Sequence, residues 1–209
     1  MIKILNLYAG IGGNRKLWSG DIEVTAIENN PEIAKIYQDF FPNDKVIITD
    51  AHQYLLEHYK EFDFIWSSPP CPSHSKIRNE AGVGSGKVEA IYPDMNLYQE
   101  IIFLKHFFKG KWVVENVIPY YEVLIPGKII QRHIFWSNYN LSKIDIPTDS
   151  INLGKMKDFR KNGDIRKYKL DNERQVLRNC VNSQLGLHIF EMAFKRPQLT
   201  LFVEEKQDE

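Results

Sequence analysis

Apolar positions fall into short runs that end in glycine, acidic or proline residues. Ile2 to Tyr8, Val24 to Ile27, Val46 to Ile48, Phe62 to Trp66 and Trp112 to Val114 are each short enough to be buried parallel strands, and His133 to Trp136 is a later run of the same kind. Segments with helical spacing follow several of them. Asn30-Pro31 reads as an N-cap and first helical position, opening a segment whose Ile33, Ile36, Tyr37 and Phe40 share a face before Pro42. A second helix is predicted from about Met95 to Phe108, with Leu97, Ile101, Leu104 and Phe108 at helical spacing. The alternation predicts an α/β fold.

Two stretches have no period, Cys71 to Pro93 and Ser137 to about Asp171, and both exceed ordinary loops. The first carries Gly82, Gly84 and Gly86, which suits either a lid or a plain surface insertion. Basic residues gather at Lys155, Lys157, Arg160, Lys161, Arg166, Lys167, Lys169, Arg174 and Arg178, a density that suits a phosphate backbone or a merely solvated surface. Glu204 to Glu209 reads as a solvated acidic tail.

Composition narrows the class. The 209 residues suit one domain with a small appendage, and 43% hydrophobic with 26% charged residues argue against a disordered, collagen-like or membrane-embedded chain. The expectation is a soluble cytoplasmic protein with no membrane segment. Cys71 and Cys180 are too few for a disulfide framework and lack zinc-site spacing, so no metal is expected. The 27 basic and 27 acidic residues cancel, leaving a local basic face open.

Candidate chemistry sits where the apolar runs end. The first runs into Ala9-Gly10-Ile11-Gly12-Gly13, a turn that lets a nucleotide-like ligand approach the backbone. Glu28 ends the second, where a carboxylate can accept both ribose hydroxyls, and Asp50 ends the third, within reach of an adenine amino group. Gly84-Ser85-Gly86-Lys87 is not a phosphate loop, because Ala81 and Val88 stand where glycine and Ser or Thr are needed. The fourth run feeds Ser67-Ser68-Pro69-Pro70-Cys71-Pro72-Ser73-His74-Ser75, a rigid turn offering a thiol at the sheet's rim. The fifth feeds Glu115-Asn116-Val117, a carboxyl beside the same ligand.

In this order the motifs resemble the cytosine-5 DNA methyltransferase family, in a compact, phage-like version. Asn6-Leu7-Tyr8-Ala9-Gly10-Ile11-Gly12-Gly13 is similar to the family's S-adenosylmethionine segment Asp-Leu-Phe-Ala-Gly-x-Gly-Gly, with Asn6 in place of Asp. Pro70-Cys71 matches the catalytic Pro-Cys, with Pro72 where Gln usually follows. Glu115-Asn116-Val117 matches Glu-Asn-Val, and Gln131-Arg132 part of Gln-x-Arg-x-Arg. Arg178-Asn179-Cys180-Val181-Asn182 is similar to Gly-Asn-Ala-Val-Pro. The resemblance implies a Rossmann-like S-adenosylmethionine-dependent methyltransferase fold with a mostly parallel sheet. It divides the chain into a catalytic domain (1–136), a short recognition insert (137–171), a returning segment (172–203) and the tail (204–209).

The resemblance also implies roles. Cys71, Glu115 and Arg132 are the expected catalytic residues, with His133 as a substitute for Arg132. Tyr8, Ala9, Gly10, Gly12, Gly13, Glu28, Asn29, Asp50, Ala51, Pro70, Asn179 and Val181 are expected to hold the cofactor. Ser73, His74, Ser75, Lys76, Arg78 and Asn116 are expected near the substrate, Asn116 also as a brace for its loop. The Cys71 thiolate, favoured by a nearby positive charge or a helix N-terminus, would add to carbon 6 of a flipped-out cytosine. Expected partners are double-stranded DNA, a second copy of the chain and a cognate restriction endonuclease. A solitary phage enzyme is equally compatible. The same chemistry on RNA, an amino-methyltransferase suggested by Ser68-Pro69-Pro70, and a non-catalytic DNA-binding module on this fold are the alternatives.

Overall fold

The computed structural model describes residues 1–146, 165–168 and 170–194. Most of the recognition insert, most of its basic residues and the acidic tail lie outside them.

Seven strands form one sheet in the order β3-β2-β1-β4-β5-β7-β6. They are β1 (Ile2–Leu7), β2 (Ile22–Ile27), β3 (Lys45–Ile47), β4 (Phe64–Ser67), β5 (Lys111–Val117), β6 (Lys128–Ile130) and β7 (His133–Ser137). The first five run parallel, whereas β7 pairs antiparallel with both β5 and β6. Five of the six apolar runs are thus parallel strands and the sixth is reversed. Its reversal comes from a two-residue hairpin turn, Gln131-Arg132, which sends the chain straight back along β6. Gln131 takes a left-handed φ of 55° there, as such turns demand.

Helices cover both faces. α1 (Pro31–Phe40) starts at Asn30, whose side chain accepts from the backbone of Glu32 and Ile33, and buries Ile33, Ile36 and Tyr37. α2 (Ala51–His58) starts at Asp50, whose side chain accepts from Gln53 N. α3 (Asn96–Phe107) buries Leu97, Ile101 and Leu104. With Leu5, Leu7, Ile65, Trp112 and Val114, the buried faces of α2 and α3 build the core on one side of the sheet. On the other side Ile4, Val24, Phe64, Trp66 and Phe135 meet α5 (Ser183–Phe194) through Leu185, Ile189 and Phe190. α4 (Glu173–Asn179) precedes α5 and, with Leu177, packs beside α1.

The two ends of the described chain meet at the turn after β1. Trp18 stacks on Phe190 at 5.0 Å and donates its indole N–H to Gly186 O. Gly186 is small of necessity, because a Cβ there would lie 2.4 Å from Asn14 O. Likewise a Cβ on Gly13 would strike Val181 O and Cys180 Cβ, at 2.8 and 2.9 Å. The carboxyl ends of β1, β2, β4 and β5 therefore open on one rim, floored partly by residues 180–186.

Candidate active site

Carboxylates and backbone amides line the β1–β2 side of the rim. Glu28, just past β2, accepts from Gly10 N through one oxygen (3.0 Å) and from Asn30 N through the other (2.9 Å). A carboxylate oxygen has more than one lone pair, so each still has room for a ligand hydroxyl. Gly10 is left-handed (φ 55°) with open space where a Cβ would be, and Gly12 (φ 81°) lies against the Phe41 ring, leaving no room for a side chain. Asn6, fully buried, accepts from Asn14 Nδ2 at 2.8 Å, tying β1 to the far side of the turn with a neutral amide. Asp50 and Ala51 begin α2 at the end of β3, which stops at Ile47, earlier than the apolar run implied. Ala51 is buried in the core and Asn29 is exposed.

The β4–β5 side carries the thiol. Asn116 Nδ2 donates to Pro69 O at 3.0 Å, so β5 braces the Pro69-Pro70-Cys71 turn directly. Asn116 is itself almost fully buried. Cys71 is half-buried. Burial and the nearby Glu115 raise its thiol above the ordinary range, with Arg132 pulling the other way. Desolvation and a neighbouring carboxylate thus outweigh the Arg132 cation, and the surroundings of Cys71 favour its thiol over the thiolate that attack requires.

Glu115 points from β5 onto the same face as Val113. Burial pushes its carboxyl up to about 7, against a hydrogen bond from Ser68 and the charge of Arg132. Ser68 Oγ in turn accepts from Trp66 Nε1 at 2.9 Å. The β5–β7 register sets Phe135 opposite Glu115 and His133 diagonally beside it. His133 Nε2 lies 3.5 Å from Glu115 Oε1. Burial holds His133 down to about 3, so between about pH 3 and 7 the two groups meet as neutral partners and not as an ion pair.

Counting through Gln-x-Arg-x-Arg from Gln131 places His133 and Phe135 at the arginine positions and Arg132 at the variable one. Arg132, in the hairpin turn, donates to Arg178 O (3.1 Å) and Cys180 O (3.2 Å). Its guanidinium thus secures the segment holding Asn179 and Val181, while its charge still reaches Cys71 and Glu115.

The residues expected near substrate divide. His74 is 1% exposed, its Nδ1 is 2.6 Å from Tyr121 Oη, and its backbone N donates to Cys71 O at 3.0 Å. Ser73 Oγ accepts from Asp94 N at 3.0 Å, clipping together the two ends of the loop between them. Ser75 pairs with Pro119. These three shape the loop's base. Lys76 is exposed and Arg78 Nη2 bonds Glu89 O beyond a wide helical turn, Ile77–Val83. On the same loop Ile77, Ile91 and Tyr92 are exposed, Tyr92 to 96%.

Sequence reasoning missed a buried polar cluster between the two halves of the rim. Glu100 of α3 accepts from Tyr8 Oη and Ser67 Oγ and lies 3.0 Å from His52 Nδ1. A signal existed, since Glu100 falls three residues after Leu97 and four before Leu104, on the apolar stripe.

S-adenosylmethionine fits these residues. The Glu28 carboxylate would hold its ribose hydroxyls, Asp50 would hold its adenine amine, and the open backbone at Gly10 would admit its chain. Among the described residues no cluster of three or more His, Cys, Asp or Glu could hold a metal, and no helix is long and apolar enough to cross a membrane.

Residues 2–117, more than half of the chain, match the family model for C-5 cytosine-specific DNA methylase. No curated protein sequence matches the chain. Among solved structures, DNMT2 of Spodoptera frugiperda is 24% identical, covering 56% of this chain and 36% of that one, with a TM-score of 0.40. A hypothetical protein of Thermus thermophilus is 18% identical over 65% of this chain and 73% of its own (TM-score 0.40). The SAM-dependent methyltransferase from Agrobacterium tumefaciens is 14% identical over 57% and 40% (TM-score 0.40). On the family match, the chain belongs to the C-5 cytosine-specific DNA methylases, enzymes whose methyl donor is S-adenosylmethionine.

Proposed function

We propose that the chain methylates carbon 5 of a cytosine flipped out of double-stranded DNA, through a covalent bond between Cys71 Sγ and carbon 6. The observation that supports this most is the pairing of a thiol on a turn braced by Asn116 with a buried carboxyl at Glu115 that keeps its proton near neutrality. A cytosine ring is a poor carbon nucleophile. Addition of the Cys71 thiolate at carbon 6 pushes an electron pair toward carbon 5, and the charge developing at N3 is met by the proton that Glu115 holds. Protonation of Glu115 also removes the negative charge that holds the Cys71 proton on, so the acid and the nucleophile are prepared together. When bound, S-adenosylmethionine supplies an electrophilic methyl group. Loss of the carbon 5 proton to solvent, return of the N3 proton to Glu115 and departure of the Cys71 thiolate then restore the ring and the enzyme.

Flipping a base costs roughly 3 kcal/mol in unstacking and unpairing. Lys76, Arg78 and Lys87, with exposed Ile77, Ile91 and Tyr92, give the 73–94 loop both cations for phosphates and apolar groups for the vacated stack. Sequence selection falls to residues 137–171.

The test incubates wild type and Cys71→Ser with S-adenosylmethionine, mixed-sequence duplex DNA and a transfer RNA pool, and identifies methylated nucleosides by mass spectrometry. The expected product is 5-methylcytosine in DNA from wild type alone. N4-methylcytosine or N6-methyladenine would overturn the mechanism, and methylation confined to RNA would overturn the substrate. A covalent adduct with fluorocytosine-containing duplex, absent in Cys71→Ser, is the second expected result.

A further inference from the structure

Glu100 is 0% exposed, and a carboxylate fully removed from water is costly unless donors surround it. Its three partners come from three separate segments. Tyr8 opens the glycine turn, His52 stands one residue beyond Ala51 in the first turn of α2, and Ser67 ends β4 three residues before Pro70. The Tyr8 and Ser67 hydroxyls both donate at 2.5 Å, one to each carboxylate oxygen. Tyr8 also holds a left-handed backbone (φ 55°), strained for an aromatic residue, and its hydroxyl bond to Glu100 helps to hold it there. Leu97, Ile101 and Leu104 already supply the apolar contact between α3 and the sheet. Packing alone would be served at least as well by an aliphatic residue at position 100.

We propose that Glu100 is a positioning residue that clasps the cofactor-side turn at Tyr8 and the thiol-bearing turn after Ser67 at a fixed separation, so that S-adenosylmethionine meets a preformed pocket. This rests on the methyltransferase reading above. Glu100 touches neither ligand; it acts through Tyr8, Ser67 and His52. Ser67 hands the constraint on to Ser68, the hydrogen-bond partner of Glu115, and so links the two halves of the rim.

Calorimetric titration of the purified full chain with S-adenosylmethionine tests the clasp without relying on turnover. Glu100→Met keeps the bulk and removes the acceptor, and should raise the cofactor Kd about tenfold. Glu100→Gln, which keeps one acceptor oxygen, should recover to within about threefold of wild type. Tyr8→Phe should weaken binding roughly fivefold, and combining it with Glu100→Met should cost less than about twofold more than Glu100→Met alone, because both delete one interaction. Should Glu100→Met fail to fold, Tyr8→Phe and Ser67→Ala, each lacking a single hydroxyl, still decide the matter. Binding within twofold of wild type in both, or fully additive losses in the double variant, would overturn the clasp alone. A wild-type chain that does not bind S-adenosylmethionine would overturn the methyltransferase reading and the clasp with it.

Discussion

His133 Nε2 and Glu115 Oε1 face each other at 3.5 Å across the β5–β7 pair, both buried. Burial drives the two in opposite directions, Glu115 up to about 7 and His133 down to about 3, so each is uncharged when folded at mildly acid pH. Glu115 binds its proton more tightly folded than unfolded. Its contribution is complete below the unfolded carboxyl value and is lost as pH rises through about 7. The contribution of His133 has the opposite sign, present above the unfolded imidazole value and lost as pH falls toward about 3. Glu115→Gln, unable to ionise, should therefore gain roughly 1–3 kcal/mol over wild type at pH 9 and little at pH 5. Thermal unfolding across that range checks it, and a gain equal at both pH values would reject the assignment.

The two cysteines should differ in reactivity. Cys180 is buried, its thiol pushed up to about 12, and it donates to Val176 O, whereas Cys71 is half-buried at the rim. Iodoacetamide at pH 8 should label Cys71 slowly and leave Cys180 unmodified in the folded chain. In Glu115→Gln the charge that raises the Cys71 thiol is gone, so labelling should quicken by roughly three- to tenfold. Peptide mass mapping over time measures both, and equal Cys71 rates in the two proteins would show that burial alone sets the thiol.

Asn116 reaches the Cys71 turn through the backbone of Pro69. Asn116→Ala should slow adduct formation with fluorocytosine DNA by about 10- to 100-fold, since small misplacements of a reacting group cost that much. Its cofactor Kd should move less than about threefold, because Glu28 and the glycine turn remain. Rapid-quench adduct assays beside calorimetry separate the two quantities, and a loss confined to cofactor binding would contradict the bracing role.

Gly186→Ala places a methyl group against Asn14 O, where the ideal Cβ sits at 2.4 Å. Overpacking of this kind should cost about 1–3 kcal/mol. Because Asn14 also bonds Asn6, cofactor affinity should fall as well. A melting temperature and Kd both equal to wild type would mean that α5 shifts aside freely.

Cys71, Glu115 and the β1 turn were legible because each follows an apolar run in a fixed motif order, and α1 and α3 because their stripes are clean. Three parts were not. The sequence reads Gln131-Arg132 as the start of a charged motif, yet the backbone uses the two residues as a hairpin turn, and turn geometry is not encoded in charge. His74 carries a residue type typical of phosphate contacts, but pairing of Ser75 with Pro119 and the Tyr121 hydroxyl draw it into the interior. The Glu100 cluster joins residues 8, 52, 67 and 100, a convergence that only the folded sheet order produces.

The seam between Gly13 and residues 180–186 has a consequence for the life of the chain. The first 117 residues hold every strand end that carries the thiol, the acid and the carboxylate of Glu28, but not the wall against which the glycine turn rests. A polypeptide emerging from the ribosome accordingly carries Cys71 before the residues that back the glycine turn exist. That wall is in place only once α5 docks Trp18 against Phe190 and Arg132 takes hold of the carbonyls at 178 and 180.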